Sequence, residues 1–175
     1  FREANVNVTR DKNSQFVNFY WETHKKGDFF YYYLDNYQIY AKDASAIFFY
    51  GKSILVQKYK IFQNRFPEYY DFLPESYDYP RERKIIYNKF KDYKLDINDL
   101  WITKPIRLSG GRGINFFTSY KDLGGYHLVL SKYISNPLLL NSKKFDLRLY
   151  VLVSSMNPLK IYLHNEGLVR ITTED

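Results

Sequence analysis

The stretch that most constrains the fold runs from residue 145 to residue 153 and reads Phe-Asp-Leu-Arg-Leu-Tyr-Val-Leu-Val. Successive side chains of a β-strand point to opposite faces, so this alternation predicts a strand whose polar face begins with Asp146 and Arg148. An acid and a base two residues apart lie about 7 Å apart along a strand. They fit an exposed ion pair and a binding site equally well. The side chains predicted to enter the core are Phe145, Leu147, Leu149, Val151 and Val153, followed by Val169 and Ile171 on a later strand.

That later strand, Leu168–Thr172, repeats the arrangement and carries Arg170 on its polar face. If the two strands are neighbours in one sheet, Arg148 and Arg170 can converge. Two guanidinium groups repel each other unless an anion lies between them, and the planar fork of arginine suits phosphate and carboxylate alike. With Lys144 and Asp146 beside them, the two arginines predict an anion-binding site.

A glycine-rich turn follows a short predicted strand that carries Lys104 near its end. The turn comprises Ser109, Gly110, Gly111, Arg112 and Gly113. Glycines let a backbone approach phosphate oxygens closely, and consecutive N–H groups can form an anion nest. The turn also fits an ordinary hairpin loop, so both interpretations stay open. The earlier tripeptide Gly51–Ser53 does not make a P-loop, because the first glycine of that motif would fall on Ala46.

The remaining pattern predicts a helix in the first part of the chain and short strands in the second. The helix begins at Gly51, ends at Phe66-Pro67, and is predicted to place on one face Ile54, Leu55, Tyr59 and Phe62. An exposed, charged stretch is expected at Asp78–Lys94, and a lobe boundary near residues 96–99. Six strands are predicted after it: Trp101–Lys104, Ile114–Phe117, His127–Ser131, Phe145–Ser154, Lys160–His164 and Leu168–Thr172.

Composition and charge exclude some classes of protein. The chain has no cysteine, so it can form neither a disulfide nor a thiolate metal site, and no apolar run approaches the roughly 20 residues of a membrane helix. His24, His127 and His164 lack the spacing of a metal cluster, and no metal ligand is predicted. A net charge of +7 predicts attraction to an acidic partner. Nucleic acid, an anionic membrane, nucleotide phosphates and an acidic polypeptide all fit, as does a solvated surface.

Taken in chain order, these stretches resemble the tubulin tyrosine ligase-like family. The resemblance covers residues 101–172, extends loosely over residues 51–75, and hardly reaches the first forty residues. The segments that carry it are Trp101–Pro105, Gly111–Ile114, Lys132–Leu140, Lys143–Val153, Pro158–Leu163 and Glu166–Arg170.

The resemblance implies an α+β, ATP-grasp-like fold with a mixed or antiparallel sheet and helices. Residues 1–98 would form the N-terminal and central lobe, and residues 99–175 the first part of the C-terminal lobe. The family's Mg²⁺ ligands are expected beyond Asp175, so the fold would be incomplete and residues 1–175 would be inactive by themselves. Phe1 is likewise expected to lie inside a longer chain.

The resemblance also implies roles for individual residues. The nucleotide-binding residues would be Lys104, Lys144 and the loop Ser109–Gly113 at the phosphates, Asp146 at the ribose, and the backbone of Lys132, Tyr133 and Ile134 at the adenine. Arg148 and Arg170 would be catalytic and would face the transferring phosphate and the acceptor carboxylate.

The implied activity is an ATP-dependent ligation that adds an amino acid, expected to be glutamate, to glutamate side chains of tubulin tails through an acylphosphate. ATP and Mg²⁺ would be the cofactors. Tubulin or microtubules and free glutamate would be the partners, without nucleic acid or membrane. The expected location is the cytoplasm, on the cytoskeleton and at the cilium, axoneme or basal body. Ser131 stands where the family often carries a glutamine, which favours glutamylation over tyrosination or glycylation.

Two other functions compete with this one. A catalytically inactive family member could serve as a structural protein of microtubules or axonemes, although a dead site has no reason to keep mutually repelling cations together. A nucleic-acid-binding module would explain the charge and the aromatic residues, but the sequence lacks the motifs of such modules. Nucleotide binding would separate the nucleic-acid-binding module from the ligase and the inactive family member. Turnover would separate the ligase from the inactive member.

Overall fold

The computed structural model describes residue 9 and residues 16–20, 34–35, 38–40 and 51–173. His24 lies outside the described residues. The first described elements are two short parallel strands, β1 (Phe19–Tyr20) and β2 (Ile39–Tyr40). All other strand pairs in the described part of the chain are antiparallel. Helices beside one parallel pair of strands and several antiparallel sheets confirm the predicted α+β class, and the ATP-grasp arrangement stays a prediction.

The predicted helix is present as α1 (Lys52–Arg65) and ends at Phe66, before the first proline. Its buried residues are Val56 and Tyr59, which lie three positions apart and therefore on one side of the helix. The predicted face was wrong in two places, because Leu55 and Phe62 are exposed. Phe62 instead stacks on Tyr70, with ring centroids 5.3 Å apart.

The stretch from Asp78 to Lys94 is not the exposed segment that its charges predicted. It contains the second half of β3 (Ser76–Tyr79) and the helix α2 (Arg83–Phe90). Ile86 and Phe90, four residues apart on one side of α2, are fully buried. The prediction failed because two buried apolar positions are enough to anchor a two-turn helix whose other residues are exposed.

A four-stranded antiparallel sheet organises residues 76–132. It consists of β3, β4 (Trp101–Pro105), β5 (Asn115–Phe116) and β6 (Leu128–Lys132), in the order β3-β6-β4-β5. A single 3-10 turn, Tyr120–Leu123, lies between β5 and β6. The sheet joins strands from both sides of the predicted lobe boundary at residues 98 and 99, so one core spans that point. The assignment of the two parts to lobes stays a prediction.

The two faces of this sheet are covered by different helices. The face towards α2 holds an apolar cluster made of Tyr77, Ile86, Phe90, Trp101, Phe117, Leu123, Leu128 and Leu130. The other face lies towards α1, since Ser53 and Gln57 of that helix contact Asp78 of β3. Residues paired directly across antiparallel strands share a face, so Lys104, which pairs with Val129, lies on the α1 side together with Asp78.

The long strand predicted over Phe145–Ser154 is divided in two. β8 (Lys143–Arg148) lies between β7 (Leu139–Leu140) and β11 (Leu168–Ile171), whereas β9 (Val151–Met156) pairs with β10 (Leu159–Leu163). The chain leaves the sheet of β7, β8 and β11 at Leu149 and Tyr150. Alternation predicted the strand character correctly, but it carries no signal for the point at which the chain changes its pairing partner.

The apolar residues predicted to enter the core from these strands are largely exposed. Leu147, Val151 and Val169 keep 58%, 59% and 54% of their surface accessible, and Leu149, Val153 and Ile171 are also exposed. Both described helices α1 and α2 pack on the four-stranded sheet instead. Periodicity thus separated two faces of the strands, but the apolar face is not a core within the described residues. No helix among them is long and apolar enough to cross a membrane.

Candidate functional site

Lys104, near the end of β4, is half-buried beside a second lysine, Lys52, at the start of α1. Burial lowers the pKa of Lys104 below its usual value, and the positive charge of Lys52 lowers it further. Lys52 Nζ donates hydrogen bonds to the carbonyl oxygens of Pro105, at 2.8 Å, and Leu108. Two partly desolvated cations close together favour the binding of an anion between or above them.

The glycine-rich turn follows directly from the carbonyl groups that Lys52 holds. Gly110, Gly111 and Gly113 adopt φ angles of +64°, +77° and +70°, a left-handed region that favours glycine. A Cβ atom on Gly113 would lie 3.0 Å from Leu108 Cδ1, whereas Gly110 and Gly111 face open space. The side chain of Arg112 folds back to Ser109, whose carbonyl oxygen accepts from Nε at 3.2 Å. The turn therefore exposes backbone that an anionic group can approach closely.

The predicted adenine-binding residues Lys132, Tyr133 and Ile134 connect β6 to the segment before β7. The backbone N–H groups of Lys132 and Tyr133 donate to the carbonyl oxygens of Glu75 and Leu100, both at 2.8 Å. Because these donors are already used, an adenine contact from these two residues would have to come from a carbonyl oxygen or a side chain. Ile134 is exposed.

Lys144 of β8 reaches the side chain of Tyr133. Its Nζ atom donates to the Tyr133 hydroxyl at 2.9 Å and lies 4.5 Å from the centre of the ring. Phe116 of β5 packs edge-on against the same ring, with centroids 5.6 Å apart. The Tyr133 ring thus joins β8 to the edge of the four-stranded sheet, a side-chain role that sequence reasoning missed when it assigned only the backbone.

Asp146 and Arg170 form a bidentate ion pair between neighbouring strands. Arg170 Nε and an Nη atom donate to the two carboxylate oxygens at 2.6 Å and 2.9 Å, and this hydrogen bonding and the negative charge raise the pKa of Arg170. The prediction that the two strands are neighbours is confirmed, since β11 pairs with β8 and Arg170 lies opposite Asp146. The acid pairs with Arg170 rather than with Arg148, whose guanidinium carbon lies 5.9 Å from the centre of the Tyr150 ring.

The structure therefore gathers the predicted phosphate, ribose and catalytic residues into two groups. One is Lys104 with the glycine-rich turn and Lys52. The other is the β8–β11 polar face, which alternation and register place on one side of the two strands; its members are Lys144, Asp146, Arg148 and Arg170. The approach of one group to the other, and the convergence of Arg148 and Arg170 at their tips, stay predictions.

Lys52 is the residue that sequence reasoning missed. The tripeptide at 51–53 drew attention to it, but only as part of a P-loop, and that motif is absent. Its contacts come from residues more than fifty positions away. The signal in the sequence was a lysine directly after a glycine at the start of a helix, which alone does not point to a site.

The described residues offer no set of ligands for a magnesium ion. Nowhere in the described ranges do three His, Asp or Glu side chains cluster so that they could hold a metal ion. The carboxylate of Asp146 is also engaged by Arg170 on both oxygens. We therefore assign no described residue to Mg²⁺.

Comparison with known proteins assigns this arrangement to a class. The model of the Tubulin-tyrosine ligase family matches residues 32–175, which include every predicted site residue. The match covers far more than half of the chain, and the chain belongs to that family.

Several relatives in this family are named as polyglutamylases. The chain is 41% identical over 109 residues to the Probable tubulin polyglutamylase TTLL2 of Homo sapiens, which covers 60% of this chain and 18% of that protein. It is 38% identical over 114 residues to the Tubulin polyglutamylase TTLL7 of Xenopus tropicalis, covering 62% and 12%. It is 36% identical over 124 residues to the Probable beta-tubulin polyglutamylase of Tetrahymena thermophila, covering 70% and 10%. The chain thus matches less than a fifth of the length of each of these three relatives.

Proposed function

We propose that the full-length protein is an ATP-dependent ligase that adds glutamate to glutamate side chains of tubulin tails. The observation that carries this proposal is the β8–β11 polar face, where three cations and one carboxylate share one side of two paired strands. The names of the relatives supply the chemistry, since they describe proteins that polyglutamylate tubulin. Family membership supports the ATP-grasp arrangement that would bring the nucleotide to this face.

The residues fit the charges of that reaction. Lys104 and Lys144 would bind the nucleotide phosphates, and the turn at Ser109–Gly113 would close over them. Arg148 and Arg170 would neutralise the charge that develops when the tail carboxylate takes the terminal phosphoryl group and ADP leaves. The amine of the incoming glutamate then displaces phosphate from the acylphosphate, which leaves an amide bond. Catalysis of this kind depends on positioning and on charge neutralisation.

The overall charge favours the same substrate class. A net charge of +7 attracts acidic polypeptides and raises their rate of association. Runs of glutamate, which polyglutamylation both needs and creates, are the acidic partner that this proposal names. We place the protein on the cytoskeleton for that reason, with the cilium, axoneme or basal body as the specific proposal.

The experiment is an incorporation assay with the full-length protein, tubulin and labelled amino acids. We expect ATP-dependent incorporation of glutamate into tubulin, with much less incorporation of glycine or tyrosine. Incorporation of another amino acid would show that the protein is a ligase but that glutamate is not the amino acid it adds. ATP binding without any incorporation would instead support the inactive, microtubule-associated alternative, and the absence of both would overturn the proposal.

A further inference from the structure

Asp78 is a buried carboxylate that the proposed chemistry does not use. Only 5% of its surface is exposed, and a buried charge of this kind is costly unless it is hydrogen-bonded. Its Oδ2 atom accepts from Ser53 Oγ at 2.8 Å and from Gln57 Nε2 at 2.6 Å. Arg81 Nε lies 3.6 Å away. Two of these partners belong to the first turns of α1, so the carboxylate joins β3 to the beginning of that helix.

The position of Asp78 in the sheet relates it to Lys104. Both residues pair with Val129 of β6, one from each side, so the three form a row across β3, β6 and β4. Directly paired residues share a face, and neighbouring strands lie about 4.8 Å apart. Asp78 and Lys104 are therefore two strands apart on the face that α1 covers.

The start of α1 spans this row. At one end Ser53 is held by Asp78, and at the other the adjacent Lys52 donates to the carbonyl oxygens of Pro105 and Leu108. Gln57, one turn further along, donates to both Ser53 Oγ, at 3.0 Å, and Asp78. Loss of the carboxylate would free the first turn of α1 and with it the lysine that holds the base of the glycine-rich turn.

We propose that Asp78 is a positioning residue that acts through Ser53 and Gln57 to fix Lys52 and the base of the glycine-rich turn for binding nucleotide phosphates. The identity of the ligand rests on the proposed function, whereas the fixing of the turn is a property of the chain itself. Asp78 does not touch the ligand, because it lies beneath α1.

A second ion pair on the same helix provides the matched control. Lys60 Nζ contacts Glu82 Oε1 at 2.7 Å, and both side chains are largely shielded from solvent. Lys60 lies eight residues after Lys52, which is about 12 Å along a helix. Glu82 Oε2 also accepts the backbone N–H of Asp78 at 2.7 Å, and the amide oxygen of glutamine can accept the same hydrogen bond. Glu82→Gln therefore removes the charge that holds Lys60 without removing a side-chain contact between Asp78 and α1, and it reports the effect of a general loss of stability.

The first measurement is amide hydrogen exchange in the full-length protein without ligand. We compare wild type, Asp78→Ala, Ser53→Ala, Asp78→Asn and Glu82→Gln over residues 106–114. Exchange there is expected to accelerate in Asp78→Ala and Ser53→Ala but not in Glu82→Gln. Asp78→Asn keeps an oxygen that can accept both hydrogen bonds, so it should retain most of the wild-type protection.

The second measurement is the equilibrium dissociation constant for ATP. Loss of one or two hydrogen bonds predicts a roughly threefold to tenfold weaker affinity in Asp78→Ala, with near wild-type affinity in Asp78→Asn and Glu82→Gln. In a Lys52→Met background, Asp78→Ala should add less than about a twofold further loss, because residues that act through one another are not additive.

The outcomes separate the two proposals. If the wild-type protein binds ATP, either of two results overturns the inference and leaves the proposed function intact. One is unchanged exchange at residues 106–114 in Asp78→Ala, and the other is an undiminished effect of Asp78→Ala on ATP affinity in the Lys52→Met background. The expected exchange pattern in a full-length protein that binds no ATP supports the fixing of the turn and overturns the nucleotide function. The expected result in both measurements supports the positioning role of Asp78 and the nucleotide-binding function.

Discussion

Arg170 lies directly opposite Asp146 across β11 and β8, and its guanidinium group binds both oxygens of that carboxylate. The two side chains keep 62% and 58% of their surface accessible. An ion pair this exposed contributes little to stability, but it occupies one edge of the arginine fork. A phosphate or carboxylate that binds Arg170 must use its remaining N–H groups or displace Asp146.

We predict that Asp146→Asn separates folding from activity. The substitution keeps the shape of the side chain and removes its charge, so the midpoint of thermal unfolding should barely move while ATP-dependent glutamate incorporation by the full-length protein falls. Asp122→Asn is the control, because it removes the charge of another exposed carboxylate, which accepts hydrogen bonds from Thr118 and Ser119 and belongs to neither group of site residues. Parallel losses of folding and activity in Asp146→Asn would mean that the residue is structural.

We predict that Arg148→Lys and Arg170→Lys lower turnover more than they lower affinity for ATP. Lysine keeps the charge but loses the planar fork, and both arginines are assigned to charge that develops during the reaction. A loss of roughly tenfold to a hundredfold in kcat is expected, with a change in ATP affinity of less than about threefold. Full activity in both variants would remove the catalytic assignment.

Two glycines of the turn should respond differently to alanine. Both Gly110 and Gly113 have positive φ angles, which costs about 1–2 kcal/mol for a residue with a Cβ atom. Only at Gly113 would the new atom crowd Leu108 and Pro105, and overpacking adds about 1–3 kcal/mol. Urea unfolding should therefore show a larger loss of stability for Gly113→Ala. Equal losses would mean that Leu108 and Pro105 can move aside and accommodate the new atom without cost.

The lowered pKa of Lys104 predicts proton uptake when a nucleotide binds. Burial and the neighbouring Lys52 favour the neutral amine, whereas phosphate favours the charged form, so binding should raise the pKa of Lys104 again. Calorimetry at alkaline pH below the ordinary pKa of lysine, in buffers of different ionisation enthalpy, would measure the protons taken up. Lys104→Arg, which stays charged, should reduce this uptake. The same uptake in wild type and Lys104→Arg would contradict the prediction.

The sequence was informative where local pattern decides structure. Alternation identified the polar face with Asp146 and Arg148, and the adjacency of its strand to the one with Arg170 is confirmed. The helix after Gly51 and its end before Pro67 are also confirmed, because helix breakers and periodicity act over a few residues.

What the sequence did not reveal depends on contacts between distant residues. The burial of Asp78 and the role of Lys52 arise when α1 is placed on the sheet, and charge alone had marked the region of Asp78 as exposed. The division at Leu149 depends on which strand each half pairs with. Likewise, alternation found the apolar side of Leu147 and Val151 but could not say whether anything covers it.

The most direct test of the account is the affinity of the full-length protein for ATP in three methionine variants. Lys104→Met and Lys144→Met each remove a predicted contact with the phosphates, and a charge-assisted hydrogen bond is worth about 1.5–3 kcal/mol. Lys160→Met removes an exposed lysine of β10, outside both groups of site residues. We expect calorimetry to show at least about a tenfold weaker affinity in the first two variants and wild-type affinity in the third. Unchanged affinity in both Lys104→Met and Lys144→Met would contradict the account.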